Sequence, residues 1–264
     1  LLMILLFGSL IAVTTTIGIF LSLIGNTISF FGMYPWDQYL FGTVWHPEGR
    51  GGPDQDLGLL PLIWGTFYIS IIALLVAGPI GLYAAIYMAE YATPRFRNFV
   101  KPLTEILAGI TSIVYDLFAL LTVGPLLVIV FGKDGLGVMQ GASSVMTAGL
   151  VMGIMLIPFI SSLSDDIINS VPQTMRDGSY GLGATKSETI KQVILPAALP
   201  GIVGAFLLAA SRAIGETMIV VMGAGAIAKF SLNPLESMTT ITTRIVSQLT
   251  GDTDFASPET LVAF

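Results

Sequence analysis

The sequence contains no cysteine and a single histidine, His46. A disulfide framework, a thiolate nucleophile and a cysteine-based metal site are therefore excluded, and no cluster of histidines is available to bind a metal. Charged residues are scarce as well, because they make up only 11% of the chain, whereas a soluble globular domain contains about 25%. With 54% hydrophobic residues, the composition indicates an integral membrane protein, and we expect neither a metal nor a cofactor.

Long apolar segments alternate with polar ones along the whole chain. A helix that spans the bilayer needs about 20 apolar residues, and the first such segment lacks the basic start and the small-residue cleavage site of a signal peptide. The sequence therefore predicts a single all-α membrane domain over residues 1–264 with six spans, the last of them truncated, so we expect a longer protein. These spans are 2–24, a segment within 57–89, 106–131, a segment within 135–164, 199–225, and a sixth that begins near Glu259.

The positive charges indicate how the helices cross the membrane, because cytoplasmic loops carry an excess of lysine and arginine. Loops 91–105 and 165–198 share one side of the membrane. Their cations are Arg95, Arg97, Lys101, Arg176, Lys186 and Lys191. The other side contains four cations that are outnumbered by nine acidic residues, counting Glu259 at the start of the sixth span. We therefore predict that loop 165–198 is cytoplasmic and that loops 25–60 and 226–258 lie on the opposite side.

Loop 165–198 contains clear local signals for two short helices. Gly181 and Gly183 predict the end of the first helix, and we expect the chain to reverse at Gly183 with little room for a Cβ atom. Thr185 and Glu188 form a capping box, which begins a second helix, and the prolines that follow are expected to end it. Such a helix–glycine–helix elbow either transmits force from a docked partner or is an ordinary loop between membrane helices.

Two charged residues interrupt the apolar fifth span. Arg212 and Glu216 are four residues apart, so on a continuous helix they share one face. A charge in the bilayer core costs about 3 kcal/mol on insertion scales, unless it is paired or faces a water-filled cavity. The two residues are interpreted either as a structural ion pair or as a polar gate on an anion pathway, in which Arg212 donates to an oxyanion. Asp116, in the third span, either bonds a neighbouring hydroxyl or pairs with Arg212.

The spacing of residues in the cytoplasmic loop matches a known pattern. In order, with gaps of three and nine residues, the loop contains Asp177, Gly178, Ser179, Gly183, Val193, Ile194, Leu195 and Pro196. This spacing resembles the E-A-A-x3-G-x9-I-x-L-P loop of ABC importer permeases, although Asp replaces Glu, Gly-Ser replaces Ala-Ala and Val replaces Ile. The resemblance implies that segment 177–196 docks in a groove of a cytoplasmic ATPase subunit.

Further segments narrow the resemblance to one branch of these permeases. The segment "RAIGETM", residues 212–218, has Thr217-Met218 where related sulfate and molybdate permeases usually have Phe-Gly. Over nearly its whole length, the chain is similar to the C-type permease subunits of the bacterial phosphate-specific transport system. It departs from that family in the third span, where the family has Pro-Ser-x-x-Tyr-Gly and this sequence reads from Thr111 to Asp116.

This family resemblance implies a six-span, MetI-like fold in the bacterial inner membrane, with loops 25–60 and 226–258 in the periplasm. The chain would be a non-catalytic subunit that imports inorganic phosphate by alternating access. The implied partners are a homologous second permease, two cytoplasmic ATPase subunits, a periplasmic phosphate-binding protein and membrane lipid, with no nucleic acid. The alternatives are import of another oxyanion (sulfate, molybdate or phosphonate) and a secondary transporter or channel.

The chain itself is not expected to bind ATP. Gly178 and Gly183 have the spacing of P-loop glycines, but Ala184 stands where the P-loop requires a lysine. The lysine and serine of the loop, Lys186 and Ser187, are displaced by two residues, and no strand is expected before them. ATP hydrolysis is therefore assigned to a partner subunit.

Overall fold

The computed structural model describes residues 2–46, 56–132, 139, 141–250 and 258–263, and the regular secondary structure of this part of the chain is helical apart from one short hairpin. It divides into two compact units. The first comprises Leu1–Trp64, Ala228–Phe230 and Thr240–Phe264, and the second comprises Gly65–Ile227 and Ser231–Thr239.

The helices and strands follow one another along the described residues. In chain order they are α1 (Leu2–Met33), α2 (Trp36–Phe41), β1 (Trp45–His46), β2 (Asp56–Leu57), α3 (Leu60–Ile86), α4 (Pro94–Ala108), α5 (Ser112–Phe118), α6 (Gly124–Phe131), α7 (Val145–Asn169), α8 (Gln173–Gly181), α9 (Lys186–Thr189), α10 (Leu195–Ile214), α11 (Met218–Gly223), α12 (Ile241–Thr250) and α13 (Pro258–Leu261). Three π-helical turns lie after α3, between α5 and α6, and between α9 and α10, at Tyr87–Tyr91, Ala119–Val123 and Ile190–Ile194.

Several of these helices are long and apolar enough to cross a membrane. Within the described residues they form five candidate spans, Leu5–Met33, Leu60–Tyr91, Ser112–Phe131, Val145–Asn169 and Lys186–Ile214. The predicted all-α membrane architecture is therefore confirmed for five spans. The sixth span was expected to begin near Glu259, where the described residues form only the short helix α13, so it stays a prediction.

The first unit is built around aromatic side chains. The two strands are antiparallel, and Trp45 lies opposite Leu57. The Leu57 amide donates a hydrogen bond of 3.2 Å to the Tyr34 hydroxyl, and Phe30 stacks on Tyr34 with the ring centroids 5.7 Å apart. Segment 25–60 is therefore not simply a loop, because it contains the end of α1, α2 and a hairpin that bury a common core.

Helix α7 is the centre of the second unit, and α3, α4 and α10 pack against it. Glycines allow α3 to approach closely. A Cβ atom at Gly149 would lie 2.6 Å from Cγ2 of Ile72, and one at Gly153 would lie 2.9 Å from Cβ of Val76. These distances are too short for real Cβ atoms, so the two glycines, which are four residues apart on α7, serve helix packing within this chain.

The basic segment expected to be a loop at 91–105 is helical from Pro94 onward. The Thr93 hydroxyl accepts a hydrogen bond from the Phe96 amide at 3.4 Å, and Pro94 occupies the first turn of α4, both of which favour a helix start. Gly109 ends α4, and the third candidate span begins only at Ser112. The predicted span 106–131 therefore starts too early, because its first residues belong to this separate helix.

The fifth span was expected over 199–225 and lies instead over Lys186–Ile214. The expected helix end at Pro196 does not occur. Immediately before it, the Leu195 amide donates to the Ile190 carbonyl across a wider π-helical turn. Proline lacks an N–H and clashes with the preceding turn of a regular α-helix, and here it follows the wider turn. The elbow's second helix is thus continuous with a membrane helix.

Candidate coupling loop and intramembrane charges

The first helix of the elbow ends in a Schellman motif. The Gly183 amide donates to the Tyr180 carbonyl at 3.0 Å, and the Ala184 amide donates to the Ser179 carbonyl at 3.2 Å. Gly183 has a φ of +87°, a value that residues with a side chain rarely adopt. The predicted reversal at Gly183 is confirmed. The expectation of little room for a Cβ atom is wrong, because no atom lies within 4 Å of that position; backbone conformation alone requires the glycine.

The second helix of the elbow begins with the predicted capping box. The Thr185 hydroxyl accepts a hydrogen bond from the Glu188 amide at 3.4 Å, and the Glu188 carboxylate accepts one from the Thr185 amide at 2.7 Å. Thr189 is buried, and its hydroxyl lies 2.9 Å from that of Ser179. The two short helices are thus held against each other as one elbow.

The elbow exposes most of the residues predicted to contact an ATPase. Asp177, Gly178, Gly183 and Pro196 are exposed, whereas Ser179, Val193 and Leu195 are half-buried. Sequence reasoning missed Leu182, whose side chain is 92% exposed at the tip. An apolar residue directly before the terminating glycine of a polar loop was the available signal.

A second set of polar contacts fixes α4 against α7. Asp165 is only 1% exposed and accepts hydrogen bonds from Arg97 at 3.0 Å, Lys101 at 3.3 Å and Asn169 at 2.9 Å. The hydrogen bond from Lys101 to Asp166 raises the pKa of this lysine above its usual value, and the bond to Asp165 adds to it. Two of the cations used to predict orientation therefore also stabilise helix packing.

Arg212 and Glu216 do not share a helix face. Helix α10 ends at Ile214, where the Gly215 amide donates to Ser211 and the Glu216 amide donates to Ala213 in a tighter turn. Glu216 lies in the break before α11, where its carboxylate accepts a hydrogen bond from the Thr217 amide at 3.3 Å. The i, i+4 prediction is wrong because it assumed a continuous helix through residue 215.

The Arg212 guanidinium contacts an aromatic ring instead of a carboxylate. Its central carbon lies 5.5 Å from the centroid of the Phe159 ring, which is within the range of a cation–π interaction. Over the part of the chain that the structure describes, Arg212 takes part in no ion pair. Its side chain is half-buried. Because it forms no ion pair there, no acidic partner among the described residues uses the donors of the guanidinium.

Asp116 is a buried carboxylate in α5, with 5% of its surface exposed. Helix α11 packs against α5, and Glu216 lies just before α11. Neither predicted partner is found, since among the described residues Oδ1 accepts no hydrogen bond and Arg212 forms no ion pair. Asp116 thus lies on a helix that packs against α11, whereas Arg212 contacts the ring of Phe159.

Comparison with known proteins identifies the family. Residues 77–243 match the family described as "Binding-protein-dependent transport system inner membrane component", a range that includes the elbow, Asp116, Arg212 and Glu216. The chain belongs to this family. It is a non-catalytic permease of the inner membrane, and permeases of this family work with an ATPase and a substrate-binding protein.

Relatives of known name extend the comparison over most of the chain. The chain is 34% identical over 251 residues to the "Probable ABC transporter permease protein YqgH" of Bacillus subtilis, covering 95% of this chain and 78% of that protein. It is 33% identical over 226 residues to the "Phosphate transport system permease protein PstC" of Mesorhizobium japonicum, covering 81% of this chain and 68% of that protein.

Among solved structures, the inward-facing MetNI methionine ABC transporter has a TM-score of 0.49 and 21% sequence identity, and the match covers 64% of this chain and 74% of that one.

Proposed function

We propose that this chain is the permease subunit of an ATP-driven importer of inorganic phosphate. The choice of phosphate as the substrate rests on the relationship to PstC permeases, of which the Mesorhizobium japonicum protein is 33% identical over 81% of this chain. The segment "RAIGETM" at 212–218 agrees with it. Phosphate is anionic at neutral pH, and Arg212 holds guanidinium donors that no carboxylate occupies in the described residues.

The proposed route for ATP-driven movement is the elbow, residues 172–196, on the cytoplasmic side. Its capped helices and its Schellman motif make it a defined shape rather than a flexible loop, and the side chain of Leu182 is 92% exposed at its tip. A rigid elbow with an apolar tip suits insertion into a groove of an ATPase subunit. Because α9 is continuous with α10 through the π-helical turn, movement of the elbow would reach the membrane directly.

The complete transporter would contain this chain, a homologous second permease and two ATPase subunits. A periplasmic phosphate-binding protein would deliver substrate to the acidic segments 25–60 and 226–258. On this arrangement Arg212, Glu216 and Asp116 line the substrate pathway, and alternating access follows from closure of the ATPases.

Competition among oxyanions tests the substrate. The complex of this chain with its partner permease, ATPase and binding protein is reconstituted in vesicles, and ATP-dependent uptake of radiolabelled phosphate is measured. We expect excess unlabelled phosphate to abolish the uptake of label and equal concentrations of sulfate, molybdate or a phosphonate to leave it unchanged. If one of these three competes more strongly than phosphate and is itself taken up in an ATP-dependent manner, that oxyanion is the substrate and the phosphate proposal is wrong.

A further inference from the structure

An ion pair joins the elbow to the second candidate span. Glu90 lies in the π-helical turn Tyr87–Tyr91 that ends this span, and its carboxylate pairs with the guanidinium of Arg176 in α8. The two side chains are only 6% and 12% exposed. Separating a buried pair leaves uncompensated charges in a poorly solvated environment. This ion pair is therefore expected to persist, unlike an exposed surface pair.

The same guanidinium also reaches a third element. The second terminal nitrogen of Arg176 donates to the carbonyl of Ile168, near the end of α7, at 2.8 Å. Arg176 therefore links α8, the end of the second span and the end of α7. A planar guanidinium with several donors can hold such a fixed geometry, which a lysine at the same position would satisfy only in part.

The second helix of the elbow is attached to the same turn by a different cation. Lys186, the first residue of α9, donates to the backbone carbonyl of Glu90, and its ammonium lies 4.8 Å from the centroid of the Tyr91 ring. Each elbow helix thus contributes one cation to the turn Tyr87–Tyr91. The same elements also share an apolar cluster, which is formed by Ala85, Ile168, Val171, Ile190, Ile194, Ala198 and Ile202.

Chain connectivity explains why this attachment matters for transport. The elbow follows α7 directly and continues into α10, so its movement passes to those two helices through the backbone. Helix α3 is separated from the elbow by α4 to α7 along the chain and has no direct backbone route to it. The bonds from Arg176 and Lys186 to the turn after α3 supply a polar connection.

We propose that the Glu90–Arg176 pair is a joint that transmits the movement of the elbow to the second membrane helix. The proposal rests on the coupling role proposed for residues 172–196. Glu90 and Arg176 act as positioning residues: they contact neither ATP nor substrate, and they make α3 move together with α7 and α10. The π-helical turn that contains Glu90 fits this role, because such turns are frequent at functional sites in helices.

Neutral substitutions test the joint in the reconstituted complex. Arg176→Gln and Glu90→Gln should leave binding of the ATPase and hydrolysis of ATP in place, and should lower the phosphate transported per ATP hydrolysed roughly tenfold, since a hydrogen bond between charged groups is lost. Arg176→Lys keeps the charge but cannot make both contacts of the guanidinium, so it should recover only part of this ratio. The control is Arg95→Gln, because Arg95 is an exposed cation of α4 that forms no ion pair in the described residues.

A crosslinking experiment separates the joint from general damage to the fold. The chain contains no cysteine, so Glu90→Cys combined with Arg176→Cys, in a complex whose partners are also cysteine-free, gives a unique pair of thiols. Before treatment this protein should be uncoupled. A short bifunctional thiol reagent that bridges the two positions should restore the transport ratio in the same preparation, whereas a monofunctional reagent should not.

The outcomes distinguish the joint from the proposed coupling role. A normal transport ratio in Arg176→Gln, or a bridged protein that stays uncoupled, would overturn the joint while ATPase binding through the elbow remains intact. If the ATPase binds equally well when the exposed tip residue is changed by Leu182→Asp, the coupling role of the elbow itself is wrong. Binding of the ATPase and the transport ratio are therefore measured on every variant.

Discussion

At the scale of single residues, the charges within the membrane decide how an anion could pass. Arg212 and Glu216 were expected to share a helix face, as an ion pair or as a polar gate, but Gly215 ends the helix between them. Arg212 contacts the Phe159 ring instead. A cation over an aromatic face is stabilised without losing its donors to a carboxylate. The residue types were evident from the sequence, whereas their pairing depends on a helix end that apolar content does not reveal.

Substitution of Arg212 separates the pathway from a structural ion pair. Arg212→Gln should reduce phosphate uptake about tenfold or more at unchanged membrane abundance, because the charge-assisted bond to the anion is lost. Arg212→Lys, the matched control, should retain part of the uptake, and Glu216→Gln should impair it. Uptake and abundance are measured for each variant and for the Gln double substitution. Restoration of abundance and uptake in the double variant would contradict this account and indicate a structural pair.

At the scale of elements, the elbow was predictable where its signals are local. The capping box of Thr185 and Glu188 and the reversal at Gly183 were both visible in the sequence and are both present. The helix end expected at Pro196 is absent, because a π-helical turn precedes it. The Glu90–Arg176 pair joins residues 86 positions apart, and no local pattern indicates such a contact.

Two glycines of the elbow allow a matched test of its shape. Gly183 and Gly181 both have open space around a Cβ position, but only Gly183 has a positive φ. Gly183→Ala should destabilise the elbow by about 1 kcal/mol, whereas Gly181→Ala, at a helical position, should stabilise it by roughly 0.5–1 kcal/mol. Hydrogen exchange of the amides in 173–189 is the measurement. Equal changes in the two variants would mean that the conformation of Gly183 does not define the elbow.

At the scale of the whole molecule, the kind of protein was easier to predict than the boundaries of its elements. Five candidate spans lie within the described residues, but the basic segment 91–105 is helical from Pro94 onward, and the described part of segment 25–60 contributes to a folded aromatic core. Apolar length identifies a span because a helix must cross the whole bilayer core. It does not identify where an amphipathic helix or a small core begins, because those depend on contacts distant in sequence.

ATP hydrolysis in the reconstituted complex tests the central claim most directly. The claim is that this permease imports phosphate only when an ATPase drives it through the elbow. Vesicles contain this chain, its partner permease, the ATPase and the binding protein, and a matched preparation contains an ATPase whose P-loop lysine is replaced. We predict that phosphate-loaded binding protein stimulates ATP hydrolysis and uptake together, and that both vanish in the matched preparation. Phosphate uptake by this chain without an active ATPase, driven by an ion gradient, would contradict it.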